Sequence, residues 1–473
     1  MTDQAVANQG DEPTSPSVRI AWFSPLPPSP SGIAAYSAEL APLLEARGFA
    51  LEMFTAESAR DFVWKQRRTP YDLTLFHMGN ATCHDYMWAY LFRYPGLVVL
   101  HDAQLHQARA LFLTRRWKPR RDDYLTEFHA NHPEAPADVG ELIAAGLGGS
   151  LYHHWPLVRL VVARARLTVV HSRQLMEELR GRYPAARFEH VEMGVGDPLA
   201  TRVADAGARA KRPDSQEPSD GRVLRESHDM PREAIILAAF GGITPEKRIP
   251  QLIRAVSALA DRLPMLHLLL VGNAATHYDA LEDARRWGVN DRVHLTGYVS
   301  AEKLGEDLRA VDVCACLRWP TNRETSASWL RCLAAGRATI ITDLAHQGDV
   351  PSIDPRGWRI LDTAPRGGNA RTPVAVSLDL LDEQHSLELA LERLATDVAL
   401  RASLGQAARA WWEQHHRLDE MADAYQRVIR TAIDSAVPNP TLPPHLLADA
   451  SDHGHALARQ LGVSDRLNRI LSD

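Results

Sequence analysis

VHLTGYVSAEKLGEDLRAVDVCACLRWPTNRETSASWLRCLAAGRATIITD, residues 293–343, changes its hydrophobic period four times in fifty-one residues. Short apolar runs at 293–295, 311–317 and 339–342 read as buried strands. The segments between them, 301–310 and 326–335, read as helices with one apolar face. Strands that alternate with helices argue for a parallel sheet covered on both faces. The same rhythm runs upstream, with strands at 234–240 and 266–271 around a helix at 247–260. It also fills the first part of the chain, with strands at 18–24, 73–78, 97–101 and 167–171 and helices at 33–47 and from Ser172. Between these regions, 199–232 contains ADAGARAKRPDSQEPSDGR and has no apolar period, so it reads as a linker or long surface loop. The prediction is an α/β fold of two Rossmann-like, doubly wound domains, 18–198 and 233–415, facing each other across a cleft. Ligands of such sheets bind outside the carboxyl ends of the strands.

Composition narrows the function classes. A net charge of -6 excludes bulk electrostatic recruitment of nucleic acid, and no specific nucleic-acid partner is expected. Four cysteines are too few for a disulfide scaffold, and Cys314 and Cys316 sit two apart without zinc spacing. No resident metal and no cofactor are expected, and a reducing cytoplasm fits this usage. Residues 1–17 are polar and acidic, a flexible tail rather than a signal peptide. No apolar run reaches the length of a membrane span, so any membrane contact is peripheral, at the inner face.

Several stretches carry candidate chemistry. In SPLPPSPSGIAAYS, residues 24–37, Gly32 stands where a strand gives way to a helix, which suits either an anion or a plain turn. His77, Gly79, Asn80, His101 and Asp102 gather at two strand ends, where a site or a set of structural histidines is expected. In AFGGITPEKRIPQLIRA, residues 239–255, Lys247 and Arg248 stand at a helix start, where cations oppose the helix dipole. An anion between them resolves that conflict, and two solvated cations are the plainer reading. Glu324 precedes Thr325 and Ser326, a natural helix N-cap. RRWKPRR brings together Arg115, Arg116, Lys118, Arg120 and Arg121, a patch for anionic lipid, a polyanionic acceptor or nucleic acid, or a solvated loop.

Taken in order, these motifs resemble the GT-B-fold retaining glycosyltransferases of glycosyltransferase family 4, also called glycosyltransferase group 1. The resemblance spans roughly residues 19–343, with a weaker match near 411–433. It implies a nucleotide-sugar donor (UDP-, GDP-, ADP- or TDP-linked) in the C-terminal half and an unknown acceptor in the N-terminal half. Lys247 with Arg248, the amides of Thr325 and Ser326, and Gly32 from the other domain would hold the donor diphosphate. Gly297, Tyr298 and Val299 would meet the nucleobase. Glu324 and His101 would be the catalytic pair at the transferred sugar, with His77, Gly79, Asn80 and Asp102 in the acceptor or sugar pocket. Residues 416–435 would form a closing helix that returns to the N-terminal domain, followed by an extension, 436–473.

The sequence also departs from that pattern. Cys332 stands where the family has a second glutamate for the ribose, and Gly242 where it often has an arginine. Thr325 replaces a frequent glycine, and Arg318 and Arg323 are candidates for the missing positive charge. There is no Asp-x-Asp, the motif of a metal-clamped diphosphate. The expected function is sugar transfer with retention, in cell-surface polysaccharide, glycolipid or glycoconjugate synthesis. A GT-B phosphorylase or epimerase, or a binding or scaffold subunit without turnover, are the alternatives.

Overall fold

The computed structural model describes residues 18–115, 120–200, 220–361, 371–447, 457–466 and 469. The first sheet contains β1 (Val18–Phe23), β2 (Phe49–Phe54), β3 (Leu73–Met78), β4 (Leu97–Leu100), β5 (Leu167–Val170) and β6 (Phe188–His190). Its order is β2-β1-β3-β4-β5-β6, and every neighbouring pair is parallel. The second contains β7 (Ile235–Phe240), β8 (Leu266–Val271), β9 (Val293–Gly297), β10 (Val313–Cys316), β11 (Ala338–Thr342), β12 (Ser352–Asp354), β13 (Arg359–Leu361) and β14 (Ala375–Leu378). Its order is β13-β12-β14-β11-β10-β7-β8-β9, parallel except for the β12–β13 pair at one edge. The central strands β3, β4, β5, β8 and β11 are buried along their whole length, as sheets covered on both faces require. β2 did not stand out in the sequence because it is an edge strand with only its ends buried, so its apolar signal is diluted.

The helix Leu418–Asp434 ties the two halves together. Met421, Tyr425, Val428, Ile429 and Ala432 bury one stripe of it against the helix Gly32–Glu45. At that seam Tyr36 donates its hydroxyl to Tyr425 over 2.7 Å, and Arg47 pairs with Asp423 at 2.7 Å. One buried cluster therefore runs from Trp22 and Leu40 in the first domain through Tyr425 to Trp329 and Leu333 in the second.

Part of the expected linker is structured. Residues 201–219 lie outside the described residues, but Asp220–Ser227 is a helix that buries Leu224 and packs on Ala301–Ala310. A single buried leucine in eight residues gave the sequence no period to read. In the extension, His445 reaches the buried Arg109–Glu127 pair, with its Nε2 2.8 Å from a Glu127 oxygen.

Candidate functional site

The carboxyl ends of β7, β10 and β11 open onto one pocket, lined among others by Phe240, Lys247, Cys316, Arg318, Glu324 and Ser326. β7 ends at Phe240, and the next residue, Gly241, has a left-handed φ of +90°, where a Cβ would strike the Lys247 ammonium. Lys247 follows in the short turn Pro245–Lys247 and donates to the Phe240 carbonyl. Burial, with the Arg318 cation second, pulls its ammonium down to about 7. A buried ammonium beside a guanidinium is a site that gains from an arriving anion.

Glu324 forms the opposite lip. Its carboxylate accepts from Thr321 Oγ1 at 3.0 Å and the Asn322 amide at 2.9 Å, and pairs with Arg318 at 2.6 Å. Ser326 caps the helix Ala327–Ala334, its hydroxyl accepting from the Trp329 amide at 3.3 Å. Thr325 approaches the His171 carbonyl of the first domain at 3.4 Å.

Other expected residues are placed differently. Arg248 does not share the pocket with Lys247. Its backbone is left-handed, φ +59°, and its guanidinium turns to Glu383, Nε to Oε1 at 2.7 Å. Of the two candidates for extra positive charge, Arg318 lines the pocket, and Arg323 pairs across the domain boundary with Glu178. Cys332 is fully buried, its sulfur 3.9 Å from that of Cys316, so the position of the expected acid is a packed thiol and only Cys316 reaches the pocket wall. Gly297 closes β9 with φ +71°, Tyr298 is 75% exposed, and Val299 packs below them; none of the three lines the Lys247 pocket. Gly32 begins the helix Gly32–Glu45, whose cap Ser31 accepts from Ile33, and a Cβ there would meet open space.

Across the cleft, His101 Nε2 lies 2.9 Å from His77 Nδ1. His77 is wholly buried, stacked on Trp22 at 4.6 Å between ring centres, so it is a support for His101 rather than a pocket wall. Burial holds both imidazoles well below their usual range, hence neutral. Gly79 is required by packing, because a Cβ would collide with Ile33 and His84. The Asn80 amide donates to Asp102 at 2.6 Å, and Asn80 Oδ1 accepts from Ala108 at 2.9 Å. Burial, then the charge of Glu324, pushes the Asp102 carboxyl up to about 7. Asp102 and Glu324 thus sense each other across the domain boundary. His171 and His346 also belong here: Ser172 donates to the His346 carbonyl at 2.7 Å, and the His171 ring lies 5.3 Å from that of His101. His171 closes a strand as His77 and His101 do, and that rule alone was enough to single it out.

In the basic patch, Arg116 and Lys118 lie outside the described residues. Arg120 pairs with Asp123 at 3.8 Å and Arg121 with Glu141, so these two cations have carboxylates of their own. Arg115 folds back toward Gly146.

Residues 234–356 match the family model described as glycosyl transferases group 1. No curated protein matches the chain. Among solved structures, sucrose-phosphate synthase from Thermosynechococcus elongatus aligns over 87% of this chain and 98% of its own, at 16% identity and a TM-score of 0.57. HepE from Anabaena, solved with UDP and glucose, aligns over 88% and 100% at 15% identity and a TM-score of 0.56. The fold is GT-B. A glycosyltransferase from Rickettsia africae aligns over 89% and 100%, at 12% identity and a TM-score of 0.53. In GT-B terms, the Lys247 pocket belongs to the C-terminal domain; His101 and Asp102 belong to the N-terminal one and do not line it, and Asp102 feels the charge of Glu324 across the boundary.

Proposed function

We propose that this chain is a glycosyltransferase that moves a sugar from a nucleotide-sugar to an acceptor hydroxyl with retention of anomeric configuration. The observation that carries the reading is the buried Lys247 ammonium beside Arg318, at the mouth of strands that the Glu324 carboxylate overhangs. The match of 234–356 to the group 1 model and the UDP held by HepE favour the same donor chemistry.

Lys247 and Arg318 offset the charge that develops on the departing diphosphate, and the amides at the start of Ala327–Ala334 add to this. Glu324, held on three sides, orients the donor sugar and faces its cationic transition state. His101, neutral and braced by His77, donates or accepts a hydrogen bond at the sugar without adding charge. In a retaining transfer the acceptor oxygen bonds to the anomeric carbon on the face the diphosphate leaves, and its proton passes to a donor phosphate oxygen. With cations already at the diphosphate, no resident metal is needed, so chelator should leave turnover unchanged. The work fits the cytoplasm, on soluble or membrane-borne acceptors.

The test is a thermal-shift panel of UDP-, GDP-, ADP- and TDP-sugars, followed by NMR of the product anomer. A stabilising nucleotide-sugar that is turned over with its anomeric configuration kept supports the reading. Inversion removes the retaining step, and no binding by any donor removes the function.

A further inference from the structure

Three of the four cysteines meet behind the Lys247 pocket. Cys314 and Cys316 stand two apart on β10, so both point to the same face of the sheet. The helix Ala327–Ala334 packs on that face and brings Cys332 to them. Cys332 Sγ lies 3.9 Å from Cys316 Sγ, and all three are free thiols. Their exposure differs. Cys314 and Cys332 are fully buried, whereas Cys316 is half-buried and lines the pocket. A small reagent dissolved in water therefore meets Cys316 first.

The surroundings divide the work between the two sulfurs. Lys247 and Arg318 line the same pocket as Cys316 and bring positive charge to it. Partly exposed thiols in electropositive settings are the ones that react with oxidants. Cys332 has the opposite setting. Burial pushes its thiol well above its usual range, so it stays protonated and inert until its neighbour is activated. The pair has one sulfur that a reagent reaches and a second that only the first one reaches.

The pair is also tied to the mouth of the pocket. Ser328 lines the pocket and lies four residues before Cys332, about one turn along the same helix face. Ser326, the cap of that helix, lines the pocket too. A disulfide needs its sulfurs about 2.0 Å apart, so closing the pair draws β10 and the helix together by up to roughly 2 Å. The helix mouth then shifts against Lys247. A misplacement of about 1 Å in a preorganised site costs on the order of 100-fold.

We propose that Cys316 and Cys332 are a reversible oxidation site, in which hydrogen peroxide converts the thiol pair to a disulfide and so closes the Lys247 pocket to its anionic ligand. The Cys316 sulfur attacks a peroxide oxygen, the O–O bond breaks, and the released hydroxide leaves as water with the thiol proton. Cys316 is then a sulfenic acid. The Cys332 sulfur attacks the Cys316 sulfur, the S–O bond breaks, and the hydroxyl leaves with the Cys332 proton as a second water. The two thiols thus give two electrons to one peroxide. A dithiol such as dithiothreitol restores both thiols and leaves as its own cyclic disulfide. In a reducing compartment such a bond is transient and serves sensing rather than structure. The disulfide needs no turnover; only its effect on the donor rests on the glycosyltransferase reading.

The test treats the full chain with hydrogen peroxide, blocks the remaining thiols with N-ethylmaleimide and maps disulfide-linked peptides by mass spectrometry. Calorimetry measures the affinity for UDP, GDP, ADP and TDP of the reduced, oxidised and re-reduced protein. The expected result is a Cys316–Cys332 disulfide, a nucleotide Kd at least tenfold higher after oxidation, and full recovery with dithiothreitol. Cys332→Ala, when reduced, should bind the nucleotide as wild type does. After peroxide it should form no such bond, and dimedone should trap the sulfenic acid at Cys316. If that variant does not fold, the peptide map of the wild-type protein decides alone. Free thiols at both positions after peroxide, or a link from Cys332 to Cys314 instead, overturns the proposal, as does an oxidised protein that holds its nucleotide unchanged. A protein that forms the disulfide but binds none of the four nucleotides when reduced keeps the oxidation site and removes the donor reading, and with it the closing of the pocket. Nucleotide binding with both thiols indifferent to peroxide does the reverse.

Discussion

Asn80 of the first domain donates its Nδ2 to Oδ1 of Asn322 in the second, 3.2 Å away. Asn80 also holds Asp102 through its amide, and Asn322 holds Glu324 through its own. One side-chain bridge thus couples the two carboxylates that face each other across the cleft. Asn322→Ala keeps the backbone bond from Ala103 but removes this bridge. We expect a fall in kcat/KM of about tenfold, with stability reduced by ~1 kcal/mol. Steady-state kinetics and urea unfolding check it; wild-type kinetics would show the bridge to be idle.

Lys247 should make donor affinity depend on pH. Its ammonium, held at about 7 by burial and by Arg318, is charged below that value and neutral above it. An arriving diphosphate requires the charged form, so binding above pH 7 must take up a proton. The Kd for the donor should therefore rise by up to about tenfold per pH unit above 7 and stay flat below it. Calorimetric titration of the nucleotide-sugar from pH 6 to 9 measures this. Lys247→Ala should bind weakly at every pH.

Glu324→Gln keeps the acceptor atom for Thr321 and Asn322 but loses the charge paired with Arg318. Turnover should drop by about 100-fold or more, with donor affinity changed far less. Single-turnover rates set against nucleotide-sugar Kd separate the two effects. A variant at near-wild-type turnover removes Glu324 from the chemistry.

Asp102 shapes stability across pH. Its carboxyl is pushed up to about 7 by burial and by Glu324, and ionises near ~4 in an unfolded chain. Folding then takes up a proton between those values. The stability this carboxyl contributes is complete below about pH 4 and is lost as pH rises through 7. Asp102→Asn should flatten that slope and melt higher than wild type at pH 8, by roughly 2–4 °C for a gain of about 1 kcal/mol. Parallel melting curves at pH 5 and pH 8 decide it.

Tyr36 and Tyr425 share the buried hydroxyl contact at the seam of the closing helix. Tyr425→Phe leaves the Tyr36 hydroxyl buried without this acceptor and should cost about 1–3 kcal/mol. The Tyr36→Phe, Tyr425→Phe double variant should recover part of that loss, which a double-mutant cycle by chemical unfolding reads directly.

The sequence by itself determined the two doubly wound sheets, because strand and helix periods are local and repeat every few residues. It also singled out Lys247 and Glu324, which line one pocket, since a strand end followed by a helix start lies within a few neighbouring residues. Tertiary structure decided which side chains share a pocket. Arg248 adjoins Lys247 in the chain, yet it leaves the site because its backbone is left-handed and its partner, Glu383, lies 135 residues away. His77 looked like its strand-end neighbour His101, but packing under Trp22 buries it wholly as a support, while His101 keeps a small exposed edge. Cys332 became part of a thiol-lined core only when β10 set Cys316 against it. Local periodicity fixes elements, and contacts between distant residues fix sites, because the burial and charge that tune a side chain come from neighbours far away along the chain.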